Sequence, residues 1–167
     1  AGAPRGALER LPEGVLDPQR WAVPGIEAIA VATDRLLGGV RASGQVTDRD
    51  IPTAEPIACD VRWVTPGFFD VLGIPVLQGQ TFDVADHGDV PAVVVNQALA
   101  DRLWSGQRPV GRRIEGAQND TPMEVVGVVA DARYVTPWDP QRPTVYRRLS
   151  TTHGLAREIL LRTSVTP

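Results

Sequence analysis

The sequence predicts an α+β domain of mixed strands and short helices. Short apolar, β-branched runs recur along it, two of them turn directly into sharply bounded helices, and no regular β-α-β cadence or internal repeat joins them. The 167 residues, 43% hydrophobic and 22% charged, are enough for one ordinary core or two small lobes sharing a core. No apolar stretch reaches the roughly 20 residues that cross a bilayer. The longest runs, AIAVA at 28–32 and PAVVV at 91–95, are strand-sized.

Pro12, Pro18 and Pro24 interrupt the first segment, so residues 1–25 are expected as a loosely ordered lead-in. The start AGAPRG has neither an initiator Met nor a signal pattern and reads as a piece of something longer. IEAIAVAT (26–33) reads as a buried strand, and the polar, glycine-containing stretch 38–55 as a hairpin or a mobile loop. IACDVRWV (57–64) alternates, with Ile57, Cys59, Val61 and Trp63 on one face and Asp60 and Arg62 on the other. Thr65 stands where an N-cap belongs and Pro66 at the first helical position, while Gly73 and Pro75 close the helix. Phe68, Val71 and Leu72 then share its inward face. IPVLQG begins another strand.

Val93 to Val95 form the next strand, Asn96 caps a helix and Gly106 terminates it. Leu99 and Leu103, one turn apart, give that helix an apolar seam flanked by Trp104. RRIEG (112–116), MEVVGVVADARY (123–134) and PTVYRRL (143–149) read as a meander, and EILLRTS (158–164) as a last strand.

All seventeen basic residues are arginine. Without lysine the chain has no Schiff-base lysine, P-loop lysine or lysine general base. A net charge of −3 argues against general nucleic-acid binding. Cys59 is the one cysteine, so no internal disulfide forms. His87 lies in DVADHGD, where Asp83, Asp86 and Asp89 fit neither a calcium loop nor a zinc site, and the stretch reads as a solvated turn. His153 stands alone in a polar loop, and no nucleophile motif flanks either histidine. GQRPVG (106–111) has phosphate-loop glycine spacing, but it follows a helix, and Arg112 and Arg113 replace the lysine and hydroxyl residue. Arg108, Arg112 and Arg113 read as a solvated strand end, Asp48 and Asp50 as loop residues without a visible partner, and Trp21 and Trp138 as small satellite-core plugs. No catalytic, cofactor-binding or metal-binding residue is expected, and substrate-binding residues are unassigned.

The order and spacing of whole segments carry more. VTPGFFDVLGIPVLQGQTF (64–82), PAVVVNQALADRLWSGQRPVGRRI (91–114), EVVGVVADARY (124–134), PTVYRRL (143–149) and ILLRTS (159–164) resemble the periplasmic core domain of MacB-like, FtsX-like ABC transporter permeases of the duplicated orphan type. The resemblance is dense over 57–164 and fades before Gly25, where the three prolines depart from the family's longer helix. It implies a porter-like α/β subdomain at 26–80 with 155–167, and an inserted Sabre-like subdomain at 81–154. Relatives continue with a further helix and strand, so a sheet edge or apolar face is expected to lie unprotected here.

The resemblance also implies a non-catalytic, extracytoplasmic domain of an inner-membrane permease, without cofactor, that passes ATP-driven motion to a substrate it moves or expels. Its partners would be the parent's own transmembrane helices, a cytoplasmic ATP-binding subunit or domain, a periplasmic adaptor and a second copy in a dimer, with no nucleic acid. Two other classes stay open on the residues: a stand-alone periplasmic peptide- or lipoprotein-binding, chaperone-like module, and a hydrolase assembled in space around His87 or His153.

Overall fold

The computed structural model describes residues 25–33, 42–51, 55–82, 90–133, 141–149 and 158–164. Among them run nine strands, β1 (Ile26–Ala32), β2 (Ala42–Asp48), β3 (Ile57–Val64), β4 (Val76–Gly79), β5 (Ala92–Asn96), β6 (Arg113–Gly116), β7 (Asn119–Val129), β8 (Thr144–Arg148) and β9 (Glu158–Thr163). Two helices accompany them, α1 (Phe68–Leu72) between β3 and β4 and α2 (Gln97–Trp104) after β5. The α+β expectation holds. The stretch 38–55 contributes β2, which pairs antiparallel with β3.

Six strands close a ring. β2 pairs with β6, β6 with β7, β7 with β5, β5 with β8, β8 with β3, and β3 returns to β2. The result is a small barrel filled by side chains. Val46, Cys59, Val61, Val93, Val95, Ile114, Met123, Val125 and Val145 fill it, joined by Leu99, Ala100 and Trp104 of α2. The expected meander is therefore limited to the β6–β7 hairpin, because β5 lies between β7 and β8. Parallel pairs need a crossover connection, and the barrel has two, β3 with β8 and β5 with β7.

The ring has an internal two-fold pattern. β2, β3 and β5 correspond to β6, β7 and β8: each set opens with an antiparallel pair, each second strand runs parallel to the other set's third, and the first and third strands pair antiparallel across the sets. Beyond the ring, the C-terminal end of β3 takes up β1 as the C-terminal end of β7 takes up β4. No repeat in the residues announces this symmetry.

The outer face of the same strands holds a second core. Val64, Val94, Val129 and Tyr146 meet Phe68 and Phe69 of α1, together with Ala30 and Ala32 of β1, Ile74 and Phe82. β3 therefore buries both faces. The side of Asp60 and Arg62, read from sequence only as the alternate face, leaves Arg62 just 2% exposed. A register shift in β7 between Val125 and Gly127 accompanies a close passage of backbone, since a Cβ on Gly127 would stand 2.0 Å from the Gln80 carbonyl oxygen.

Helix α1 departs from the sequence expectation at its start. Gly67, at φ 87°, is its N-cap and no side chain caps it, so neither Thr65 nor Pro66 plays the expected part. The end is as expected: Gly73 is left-handed at φ 66°, with Gly73 N–H donating to Asp70 O at 3.1 Å and Ile74 N–H to Phe69 O at 2.8 Å. Phe68 faces inward and Val71 partly so, but Leu72 is 36% exposed and Phe69 takes the inner place. With only five residues, the helix points two adjacent rings into the core rather than a stripe at spacings of three and four.

Candidate functional site

Among the described residues no three His, Cys, Asp or Glu residues gather as a metal-ligand set. His87, His153, Trp21 and Trp138 lie outside the described residues. Several of the placed polar side chains form joints between elements.

Asn96 is one such joint. Its Oδ1 accepts from Leu99 N–H at 3.2 Å, as the cap of α2, and from Thr144 N–H at 2.8 Å. Its Nδ2 donates to Asp131 Oδ1 at 2.6 Å and to the Arg142 carbonyl at 2.8 Å. Asp131 also accepts from Ala98 N–H at 2.9 Å, so two side chains cap one helix start. Sequence spacing identified Asn96 as a cap, but Asp131 lies 35 residues away and gave no local signal. At the other end, the helix closes at Ser105, and Gly106 follows at φ 73°.

Asp48 is the second joint and a correction. It is no loop residue but the last residue of β2, 1% exposed, with Oδ1 accepting from Asp50 N–H at 2.8 Å and Oδ2 accepting from Trp104 Nε1–H and, at 3.0 Å, from Arg112. Trp104, expected to flank its helix, is fully buried in the barrel. Of the three arginines read as a solvated strand end, Arg112 is thus drawn inward, where it also meets Gln107 Oε1 and donates to the Arg108 carbonyl at 3.2 Å. In the 106–111 loop Gln107 N–H donates to Trp104 O at 2.7 Å and Gly111 N–H to Val125 O at 2.8 Å.

Arg147 is the third joint. Its guanidinium lies 5.4 Å from the Trp63 ring centroid and donates to the Ala117 and Gln118 carbonyls at 3.2 Å each, pinning the β6–β7 turn. Burial lowers its pKa from the usual arginine value.

A further structural feature is the β1–β9 ribbon. Its two strands pair antiparallel from Ile26↔Thr163 to Ala32↔Glu158, and Ser164 N–H donates to Gly25 O at 3.0 Å. The chain therefore enters and leaves this unit side by side at the far end of the ribbon. The near end meets β3 through one register pair, Ala32↔Val64. Around that pair, Thr33 N–H donates to Trp63 O at 3.1 Å and Thr65 N–H to Val31 O at 3.0 Å, while the Thr65 hydroxyl accepts from Val31 N–H at 2.8 Å. Thr65, read from sequence as a helix cap, is spent on this clasp because the chain turns away at Pro66, which has no N–H, and Gly67. Among the described residues β9 is the last strand on the sheet path, and Ile159 and Leu161 are 68% and 51% exposed.

Comparison with known proteins gives this arrangement its family. The fold is shared with the periplasmic region of MacB from Actinobacillus actinomycetemcomitans, at TM-score 0.63 and 17% identity over 87% of this chain. It is also shared with the extracellular domain of the noncanonic ABC-type transporter YknZ from Gram-positive bacteria, at TM-score 0.61 and 15% identity over 94% of this chain. The chain spans 62% of the MacB region and 75% of the YknZ domain. No curated protein matches it in sequence. No helix among the described residues is long and apolar enough to cross a membrane. The family model of the MacB-like periplasmic core domain matches residues 2–165, and the chain belongs to that extracytoplasmic family.

Proposed function

We propose that this domain transmits ATP-driven conformational change in an ABC permease, moving or expelling a substrate without performing chemistry itself. The observation that carries the reading is the ribbon: Gly25 and Ser164 are hydrogen-bonded neighbours, so segments flanking the unit on both sides act on one lever. A displacement of those segments reaches the barrel through the Val31–Thr65 clasp and α1. Such a domain biases the transporter's equilibrium through contacts that differ between states.

In this reading the parent supplies transmembrane helices, a cytoplasmic ATP-binding subunit or domain hydrolyses ATP, and a second copy and a periplasmic adaptor complete the assembly. The division into a porter-like part (26–80 with 155–167) and an inserted part (81–154) belongs to the same proposal. Their seam runs through the β3–β8, β2–β6 and β4–β7 ladders. The parent reading frame is the test. Apolar spans of about 20 residues on both sides of this segment, and an ATPase that co-purifies with the parent, are expected. A frame without such spans, with tight saturable peptide binding by the chain alone, would instead make it a stand-alone binding module.

A further inference from the structure

We infer that the β1–β9 ribbon is hinged on the barrel, with the Thr65–Val31 clasp as the pivot and the Ala30–Ala32 face of β1 as the surface that slides on α1. The fold's own symmetry provides the comparison. β4 occupies on β7 the place that β1 occupies on β3, yet β4 is laced down by Val76↔Val129, Gln78↔Val128 and Gly79↔Gly127, with Ala130 N–H to Pro75 O and Gln80 N–H to Val126 O at the two ends. β1 has one register pair and three flanking bonds, one of which depends on a side-chain hydroxyl. Within the ribbon itself, by contrast, the β1–β9 ladder runs through six register pairs. The ribbon is therefore stiffer within itself than in its attachment.

Packing points the same way. α1 is fixed to the barrel by aromatic contacts: Phe69 stands edge-on to Tyr146 with centroids 5.0 Å apart, Phe68 lies 6.1 Å from Tyr146, and Phe69 lies 6.3 Å from Phe82. Towards the ribbon it meets Ala30, Ala32 and the partly buried Leu160. Two alanines and one partly buried leucine offer less area than the aromatic rings on the barrel side, so a small displacement there costs less than one against the aromatic cluster. At the turn into α1, Gly67 supplies a left-handed φ of 87°, and a Cβ there would meet the Ile29 carbonyl oxygen only at ordinary contact distance, 3.5 Å.

The hinge is a property of this chain, and only its purpose rests on the transmission reading. Amide hydrogen exchange on the 167-residue chain tests it. The seam amides of Val31, Thr33 and Thr65 are expected to exchange through a local opening, about tenfold or more faster than amides of the β5–β7 and β3–β8 ladders, while the β1–β9 ladder stays closed. Thr65→Val, which removes the hydroxyl at nearly constant volume, should speed exchange at Val31 by about tenfold and leave the barrel unchanged, and Thr65→Ser should restore protection. Seam and barrel amides exchanging at one common rate would overturn the hinge, as would a ribbon that frays strand from strand before it leaves β3. The wild-type profile decides the matter even if Thr65→Val fails to fold. Nucleotide-dependent motion in the parent would stand independently of either result.

Discussion

The Trp104 indole N–H, at the end of α2, donates to the carboxylate of Asp48 at the end of β2, and Arg112 binds the same oxygen at 3.0 Å. This contact plugs one end of the barrel with a helix and ties it to the loop that leads into β6. A buried carboxylate in such a place is stable only because donors surround it.

Trp104→Phe removes one donor and is expected to cost about 1.5–3 kcal/mol, the range for hydrogen bonds to charged groups. Asp48→Ala should cost more, because it strands the indole N–H inside the barrel, although Arg112 is exposed enough to regain water. Urea unfolding of both variants and the double variant checks this. Coupling under about 0.5 kcal/mol would mean that the contact is incidental.

Asn96→Ala is expected to destabilise by about 2–3 kcal/mol, more than the ~1 kcal/mol of an isolated cap, because four bonds to three segments are lost together. Asp131→Ala removes bonds to Asn96 and Ala98 and should cost about 1 kcal/mol. Thermal or denaturant unfolding distinguishes them, and equal costs would show that Asn96 acts as a helix cap alone.

Gly127→Ala should be severely damaging, by roughly 3 kcal/mol or more, since the added Cβ meets backbone oxygen at 2.0 Å. Gly106→Ala, left-handed but with nothing within 4 Å of the added atom, should cost about 1 kcal/mol. Comparable unfolding midpoints for the two would contradict the close passage of β4 across β7.

Cys59 gives the pH dependence. Burial first, and the neighbouring Asp60 charge second, push its thiol from 9.0 up to about 12. The folded state thus holds the neutral thiol, so this contribution is fully present below pH 9 and is lost as pH rises from there towards 12. Cys59→Ala should be less stable than the parent chain at pH 7.5, with the gap narrowing by pH 11. At neutral pH the thiol should react with alkylating agents only as fast as the barrel opens.

Strand and helix identities were legible because apolar runs, glycine and proline act locally: Gly73 ends α1, Asn96 caps α2, and the pattern of 57–64 sends Cys59 and Val61 into one core. The path of the sheet was not, because the insertion of β5 between β7 and β8 rests on pairings far apart in sequence. The misreadings have the same origin. Thr65 has a cap's spacing but bonds to Val31, 34 residues away, and Asp48 looks like a loop residue until α2 and Arg112 close over it. Family membership was legible from segment order alone, whereas the adjacency of Gly25 and Ser164 appears only when β1 and β9 are paired.

Distance measurement between spin labels in the parent permease, with and without ATP, tests the central claim most directly. Cys59 would be replaced by Ala, one label pair would join Glu27→Cys on the ribbon to Arg102→Cys on α2, and a control pair would join Arg102→Cys to Arg113→Cys within the barrel; all three label sites are exposed. The ribbon-to-barrel distance is expected to shift with nucleotide while the barrel distance stays fixed. A ribbon-to-barrel distance that ignores nucleotide, or a barrel that deforms in its place, would contradict it.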